Sequence, residues 1–589
     1  MIDSLTTLGD VKLTRRQKSI IKLTFSFQVK NSTYTLFFMD SLLLLPDSLD
    51  NLSKGFSVDT PKSHFPLFFL NKPDLDWGYS GSLPEPLYYP AWGKITNFAQ
   101  ETHTAIAKNY QNKPWNLREE LVKYCENDTI ALYKVLTKFQ REIYSEFKID
   151  TVKCSTLPSL ALAIYRSNFL KDHQIPVILS KIHYIIKESY FGGITEVYKP
   201  YGENVRSYDV NSLYPFAMKN FPMPVGQITH FCGDIYNAPA AERGDKAPYG
   251  FFRVKITAPD SLHKPIIPRR IKGPHGVRTV FALGTWEGWY YSEELLNGIK
   301  HGYKIEVLEG YLFEKGYIFA EYIEVLYKMK AESDKTSARY YIAKLLMNAL
   351  YGRFGLNPEA SETLILDSET CDQIIRTRSN VDISQLKNDK CIISYNKAEH
   401  EVKINSISVP VSSAIAAQSR VSMTHYLTKY SDDILYVDTD GIKTTCELDA
   451  DEVDDKVLGK MKLEYTASKF VGLAPKVYGV LLNKPYQKYQ TEMVKIKGYS
   501  ASLSFAELEK GLDKNYNLKL NQDKWFPPPG GGVSEASIIV SNQDYNLSIT
   551  EGKREILFNS EAKFHATEPL TINEPLPQVD LTDSNSQAS

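Results

Sequence analysis

The sequence is poor in the features that would place it quickly. It has almost no net charge: 69 Lys and Arg stand against 70 Asp and Glu, leaving −1. That argues against a uniformly basic nucleic-acid binder, although a local basic groove stays open. Paired cysteines are missing too. Cys125, Cys154, Cys232, Cys371, Cys391 and Cys446 are scattered and none makes a CxxC pair. A zinc ribbon is therefore not expected, nor is a disulfide scaffold in a chain of 589 residues, and a reducing compartment is the default. No run approaches the ~18 consecutive apolar residues of a membrane span. The opening MIDSLTTLGDVKLTRRQKS has no long apolar core and carries Asp3 and Asp10. Neither a secretory signal nor an organelle presequence is expected there, so a protein working inside an organelle would be encoded in it. Internal repeats are absent.

What is present is ordinary globular composition, 43% hydrophobic and 24% charged, with 38 tyrosines. The length suits several domains or one large multi-lobed enzyme. The tyrosines suit either an aromatic core or a base-stacking surface, and composition does not choose. Residues 1–75 read as short strands and turns. Trp115–Phe147 reads as one long amphipathic helix, because apolar residues recur at three and four. Strand-like runs dominate residues 185–260. FAEYIEVLYKMKAES and SARYYIAKLLMNALYGRFG read as two helices, the second ended by Gly352 and Gly355. Residues 356–400 resemble an inserted hairpin region. WFPPPGGG, Trp525–Gly532, is a linker, and the polar tail after about residue 575 is expected to be disordered.

Four stretches carry chemistry. In ILYVDTDGIKTT, alternation around Asp-Gly predicts a β-hairpin with Asp438 and Asp440 at its tip, on one face. Two like charges there repel unless a cation joins them, and hard oxygen ligands select Mg²⁺. An exposed Asp-rich turn explains the same residues equally well. In RSYDVNSLYPFAM a strand ends at Asp209 and a turn or helix follows. Asp209 would complete a three-carboxylate nest for two ions, a device suited to phosphoryl transfer; alone, it could simply cap a helix. In KLLMNALYG, Lys344, Asn348 and Tyr351 share a helical face suited to a nucleotide, or to a solvated stripe. In PKVYG and KIKG, Lys476 with Tyr478, and Lys495 with Lys497, share strand faces suited to a nucleic-acid backbone or to solvent.

Taken in order, DVNSLYP, KLLMNALYG, YVDTDG and KVY resemble motifs A, B, C and KxY of family B DNA polymerases, over residues 110–575. YFGGITEVY, Tyr190–Tyr198, resembles the YxGG segment of the protein-primed branch. The stretches 222–325 and 356–400 stand where that branch carries its two terminal-region insertions. Gly441 after motif C and DSLLLLPDSLDNLSKGF resemble in particular the polymerases of fungal or plant mitochondrial linear plasmids, which implies a mitochondrial setting. The resemblance implies an α+β multi-domain fold, with palm, fingers and thumb preceded by a partial RNase H-like exonuclease domain. The expected division is 1–150 exonuclease remnant, 151–200 connector with YxGG, and 201–355 palm start, first insertion and fingers. It continues with 356–400 second insertion, 401–500 palm with motif C and KxY, 501–575 thumb and 576–589 tail.

It also implies roles. Asp209, Asp438 and Asp440 become the catalytic carboxylates, Asp209 and Asp440 being direct ligands of two Mg²⁺ ions (Mn²⁺ can substitute) with the Val210 carbonyl. Ser212 and Leu213 form the triphosphate-binding turn, and Tyr214 packs under the sugar and rejects a 2′-hydroxyl. Lys344 meets the triphosphate, and Asn348 and Tyr351 the nucleotide. Lys476 and Tyr478 meet the primer terminus; Tyr190, Gly192 and Gly193 meet the template. Partners are DNA template and primer, dNTPs, and a terminal protein whose Tyr, Ser or Thr hydroxyl is the first primer.

Departures are legible. Motif C ends in Gly441 instead of Ser, motif B has Ala349 after Asn348, and AAQSR keeps only Arg420 of the template-binding Thr-x-x-Gly-Arg. In YCEND, Tyr124 and Asp128 resemble the third exonuclease motif. The first two motifs have no match in the 39 residues before Asp40, so loss of proofreading is expected. Two other functions compete with a DNA polymerase: a catalytically decayed DNA-binding remnant, favoured by the missing exonuclease motifs and opposed by the three intact Asp, and an RNA polymerase or reverse transcriptase, opposed by Tyr214.

Overall fold

The computed structural model describes residues 2–16, 19–60, 62–72, 74–89, 97–111, 113–171, 174–176, 178–237, 248–273, 276–357, 361–398, 401, 407–487, 489–499, 503–526, 539–547 and 553–573. Most of the expected linker and all of the expected tail lie outside these residues; the strand leading into the linker ends at Phe526. No helix among the described residues is long and apolar enough to cross a membrane. Two compact units share the chain, Met1–Asn168 with Val325–Ala349, and Phe169–Glu324 with Leu350–Ser589.

In the first unit, an antiparallel sheet runs through Asp10–Arg16, Ser19–Val29 and Ser32–Met39. Its inner face buries Val11, Leu13, Leu23 and Phe25. The long helix spans Leu117–Phe147, starting two residues later than periodicity suggested. Asn116 caps it by accepting from the Glu119 N–H, and Lys148, at φ +57°, ends it. The missing turn is a tertiary effect: Trp115 and Asn116 pair with Ser80 and Gly81, and Trp115 packs into an aromatic cluster with Phe65 and Phe69. Ala131, Val135, Phe139, Ile143 and Phe147 recur every four residues and are buried, the stripe expected of an amphipathic helix. The Ala338–Phe354 helix continues through Gly352, contrary to expectation, and stops before Gly355. An isolated glycine costs a helix only ~1 kcal/mol, which tertiary packing overrides.

The second unit is built on a seven-stranded antiparallel sheet. Its order is Glu492–Ile496, Val477–Leu482, Met461–Ala474, Tyr201–Val210, Gly441–Thr444, Ile434–Asp438, Thr195–Val197. The Tyr201–Val210 strand lies central, with Asp209 opposite Gly441 on one side and Lys462 on the other. Strand alternation then decides the chemistry. Tyr208, Val210, Val437 and Ile442 turn to the face covered by the Val409–Lys429 helix, where Met423 and Leu427 meet them. Ser207 and Asp209 turn to the opposite face.

A second, four-stranded sheet has the order Thr285–Tyr291, Gly250–Thr257, Lys304–Gly316, Met223–Cys232. Phe252, Val254, Trp286, Leu295 and Val307 are among its core residues. Residues 356–400 do contain the expected strands, as Ser361–Asp367, Lys390–Asn396 and Asp382–Gln385, with a helix, Ser368–Thr377, that alternation alone did not show. Ile442→Ala removes a fully buried side chain from under the site. It is expected to cost about 2–5 kcal/mol in urea denaturation, while Ile299→Ala, 45% exposed, changes stability by less than about 0.5 kcal/mol.

Candidate active site

The hairpin that carries Asp438 and Asp440 forms, but its turn sits one residue earlier than the Asp-Gly pair suggested. Asp438 pairs with Gly441, so Gly441 is already in the return strand and Thr439-Asp440 make the turn. Thr439 takes a left-handed φ of +63°, held there by its N–H donating to Ile194 O at 2.7 Å. Gly193 faces the same residue: a Cβ there would stand 2.7 Å from Thr439 Cγ2. Asp440 is pinned by its own backbone, its carbonyl accepting from the Val210 N–H at 2.8 Å. That bond draws Asp440 towards Asp209. Gly441 leaves the space open, since a Cβ on it would lie 3.1 Å from Asp209 Oδ1.

Burial and the neighbouring Asp440 push the Asp209 carboxyl up to about 7, with Lys443 and Lys462 opposing. Asp440 is also raised, by burial and by Asp438. Asp438 is turned differently. Lys476 Nζ binds both its oxygens, at 2.5 and 2.8 Å, and the Thr195 hydroxyl donates at 3.1 Å. The anticipated three-carboxylate nest is therefore corrected to a pair plus one carboxylate tied to a lysine. Among the described residues, the only trio of His, Cys, Asp or Glu ligand atoms within 4.8 Å lies elsewhere, at His230, Cys232 and Glu309. Two desolvated oxygen-donor carboxylates that repel each other fit a hard divalent cation, which would relieve both burial and repulsion.

Asp209 does not cap the following helix. Ser212 stands at that position in a left-handed φ of 54°, without a side-chain cap bond. The turn is instead clamped by Asn211, whose Nδ2 donates to Asp454 O at 2.6 Å and Val457 O at 3.1 Å, and whose N–H donates to Lys460 O. Leu213 is buried beneath it. Tyr214 stacks on Tyr351, rings 4.4 Å apart and 10° from parallel, and the Tyr351 and Tyr190 hydroxyls lie 3.0 Å apart. The YxGG tyrosine, the motif A tyrosine and the motif B tyrosine thus make one wall. Lys344 and Asn348 are exposed on the same helix as Tyr351. Gly192 has open space around its Cα.

A cavity of about 560 Å³ opens beside this wall's sheet, and among its lining residues are Asp438, Lys476, Tyr478, Lys495, Lys497 and Tyr499. Lys476 lies in the turn before the Val477–Leu482 strand, with φ +65°, and Lys495 pairs with Tyr478 across the sheet. All four residues read from PKVYG and KIKG meet there. Three features escaped sequence reading. Lys443 is buried two rungs from Asp209, on the same face, its Nζ 4.5 Å from the centre of the Tyr478 ring and 5.5 Å from that of Tyr436. Burial pulls it down to about 8, with Asp438 and Asp209 opposing. Strand alternation from Gly441 could have found it. Glu464 and Lys462 pair at 2.6 Å near Asp209. In the first unit, Lys62 Nζ bonds Tyr124 Oη at 3.0 Å and Asp128 Oδ2 at 2.8 Å; no local pattern joins residues so far apart.

Arg420 requires correction. It is 2% exposed, so direct contact with DNA is not what its guanidinium does. It forms a two-pronged pair with Glu294, at 2.6 and 2.9 Å, and donates to Phe191 O and Gly192 O. It holds the YxGG segment from behind.

An antiparallel sheet with paired carboxylates at a central strand and a hairpin, flanked by a tyrosine wall and a lysine-lined groove, defines a polymerase-type palm. The family described as "DNA polymerase type B, organellar and viral" matches residues 2–433, and the chain belongs to that family. A probable DNA polymerase of Neurospora intermedia is 51% identical over 92% of this chain and 56% of its own length. One of Ascobolus immersus is 41% identical over 97% of this chain and 47% of its own. The chain thus spans about half the length of these relatives. Among solved structures, Phi29 DNA polymerase complexed with primer-template DNA and incoming nucleotide substrates superposes with a TM-score of 0.62 at 18% identity, over 93% of this chain and 88% of that one. The fold is that of Phi29-type family B polymerases.

Two outcomes follow. Arg420→Met strands the buried Glu294 carboxylate and is expected to cost about 3–5 kcal/mol in chemical denaturation. Asp209 holds its proton up to about pH 7 when folded but releases it near 3.8 when unfolded, so the metal-free fold loses stability as pH rises through that window. Asp209→Asn should accordingly be more stable than the natural chain at about pH 8 in chelator, with the difference gone below about pH 4; thermal unfolding at several pH values checks it.

Proposed function

We propose that this chain is a DNA-directed DNA polymerase that replicates a linear plasmid or organellar replicon in mitochondria. The observation that carries the reading is the Asp209–Asp440 pair, two partly buried, mutually repelling carboxylates beside the Tyr214–Tyr351 stack. The metal is Mg²⁺, with Mn²⁺ as substitute, held by Asp209, Asp440 and the Val210 carbonyl. When bound, two such ions supply Lewis-acid activation of the primer hydroxyl and neutralise charge on the triphosphate.

The protein's own groups do the rest. Tyr214, stacked on Tyr351, packs under the sugar and rejects a 2′-hydroxyl, the role its resemblance implies, so deoxynucleotides are selected. Ser212 and Leu213 receive the triphosphate; Lys344 and Asn348 keep the roles that the resemblance implies. Lys476, Tyr478, Lys495 and Lys497 line a cavity for the primer strand, with the cationic and aromatic character that backbone and sugar require. Lys476 leaves Asp438 for a phosphate when DNA arrives. Tyr190, Gly192 and Gly193 present the template-side surface, set by Arg420. Terminal-protein priming follows from the branch that YFGG resembles, with 222–325 and 356–400 as the insertions that embrace the priming protein. The expected domain division stands as part of this proposal.

We further infer that this chain alone does not proofread, as its resemblance to a single exonuclease motif implies: the carboxylate of that motif, Asp128, is paired with Lys62, and one carboxylate cannot hold two ions. On a 3′-mismatched primer with Mg²⁺, no excision is expected; clear excision abolished by Asp128→Ala would refute the claim. Primer extension with dNTPs and Mg²⁺ tests the main reading: Asp440→Asn should lower the rate at least about a thousandfold. A soluble natural chain that binds DNA without extending it would identify a catalytically decayed remnant instead.

A further inference from the structure

Away from the carboxylate pair, the edge of the four-stranded sheet brings together three side chains of different chemistry. His230 and Cys232 lie two apart on the Met223–Cys232 edge strand and so share a face. Glu309, on Lys304–Gly316, is the direct cross-strand partner of Cys232. One ligand atom from each of the three falls within 4.8 Å of the other two, and His230 Nε2 is 3.4 Å from Glu309 Oε2.

The backbone arranges this meeting. Val307 pairs with Val254 and Glu309 with Arg253, leaving Leu308 as an extra residue in a bulge. A bulge re-aims the side chains that follow it. The Gly233 N–H donates to Leu308 O at 2.7 Å, fixing the end of the edge strand against the bulge, and Gly233 accepts the left-handed φ of +92° that this needs. The side chains are oriented as well. Arg253 donates to Glu309 Oε1 at 3.2 Å and to Glu287 Oε2 at 3.1 Å, so Glu309 Oε2 is the oxygen directed to His230. The Tyr311 ring packs 5.0 Å from the imidazole. Supporting groups of this kind hold metal-binding side chains in place elsewhere in proteins.

We propose that His230, Cys232 and Glu309 form a site for a zinc-class transition-metal ion, separate from the Mg²⁺ chemistry of the palm. Imidazole, thiolate and carboxylate together select borderline-soft ions such as Zn²⁺ or Co²⁺ over Mg²⁺, which prefers an all-oxygen shell. Three protein ligands leave the fourth tetrahedral position to water. The side chains of His230 and Glu309 are 46% and 30% exposed and Cys232 is exposed, so an ion and its water can enter. Tetrahedral bonds of about 2.0–2.3 Å place ligand atoms roughly 3.3–3.8 Å apart, a spacing that His230 Nε2 and Glu309 Oε2 already have at 3.4 Å. Binding releases the Cys232 thiol proton to solvent. The ion ties the last residues of the edge strand to Lys304–Gly316 beside the Leu308 bulge.

The test is a Co²⁺ titration of the full chain, stripped of metal, followed by near-ultraviolet and visible absorption. One equivalent should produce a thiolate-to-cobalt charge-transfer band that Zn²⁺ abolishes and that Cys232→Ser and His230→Gln both lack. Because Asp209 and Asp440 carry no sulfur, the band cannot come from the carboxylate pair, the Cys232→Ser variant separates Cys232 from every other cysteine, and the result is independent of polymerase activity. Alkylation mapped by mass spectrometry gives the second reading: one equivalent of Zn²⁺ should slow labelling of Cys232 at least about tenfold and leave the exposed Cys125 unchanged. A missing band, a band that survives Cys232→Ser, or equal labelling of Cys232 with and without Zn²⁺ overturns the proposal.

Discussion

The second unit depends on a repulsion that its backbone does not allow to relax. Asp209 and Asp440 would separate if each were free, but neither is. Asp209 is locked in a central strand between two ladder neighbours, and Asp440 is drawn in by the Val210 N–H on its own carbonyl. The cost of keeping two desolvated carboxylates together is carried by the packing of Tyr208, Val210, Val437 and Ile442 on the helix beneath. Strain held by a rigid scaffold is the usual signature of a site waiting for a counter-charge.

Ion pairs around the pair act at different depths. The Lys476–Asp438 contact is half exposed, with Lys476 at 46%, and is cheap to open when a phosphate competes. The Arg420–Glu294 pair is buried, at 1% and 2%, and opens only at the cost of a stranded charge. One is suited to exchange during a reaction cycle, the other to permanence. That difference explains why two arginine- or lysine-containing motifs of similar appearance in sequence end with opposite roles.

Much of the site is legible in the amino-acid sequence. The hairpin and the strand ending at Asp209 follow from period-two alternation and turn chemistry, which are local; the pairing that brings PKVYG beside KIKG is not local, and Lys476 and Lys497 fall just outside the two strands. The residues whose roles a linear pattern misreads or misses depend on long-range neighbours. Arg420 looks exposed in AAQSR because its partner, Glu294, lies 126 residues away. Lys62 is silent until the Leu117–Phe147 helix brings Tyr124 and Asp128 to it. The helix at Ser368–Thr377 and the shortened start at Leu117 depend on tertiary packing that overrides propensity. The hairpin turn shifts by one residue because Ile194 and Val210 hold Thr439 and Asp440 in place, a constraint stronger than the preference of Asp-Gly.

Lys443 has a wider consequence. With Lys462 and Lys476 it places three ammonium groups among the four carboxylates of Asp209, Asp438, Asp440 and Glu464. Such a site carries little excess charge of its own, so free ions in solution feel only a weak pull towards it. A nucleotide changes that balance, because its phosphates add several negative charges at once. A cation and a nucleotide would therefore be drawn to such a site more strongly together than either alone, while in the metal-free protein, among the described residues, only Asp438 of the three aspartates has a lysine, Lys476, directly on its carboxylate.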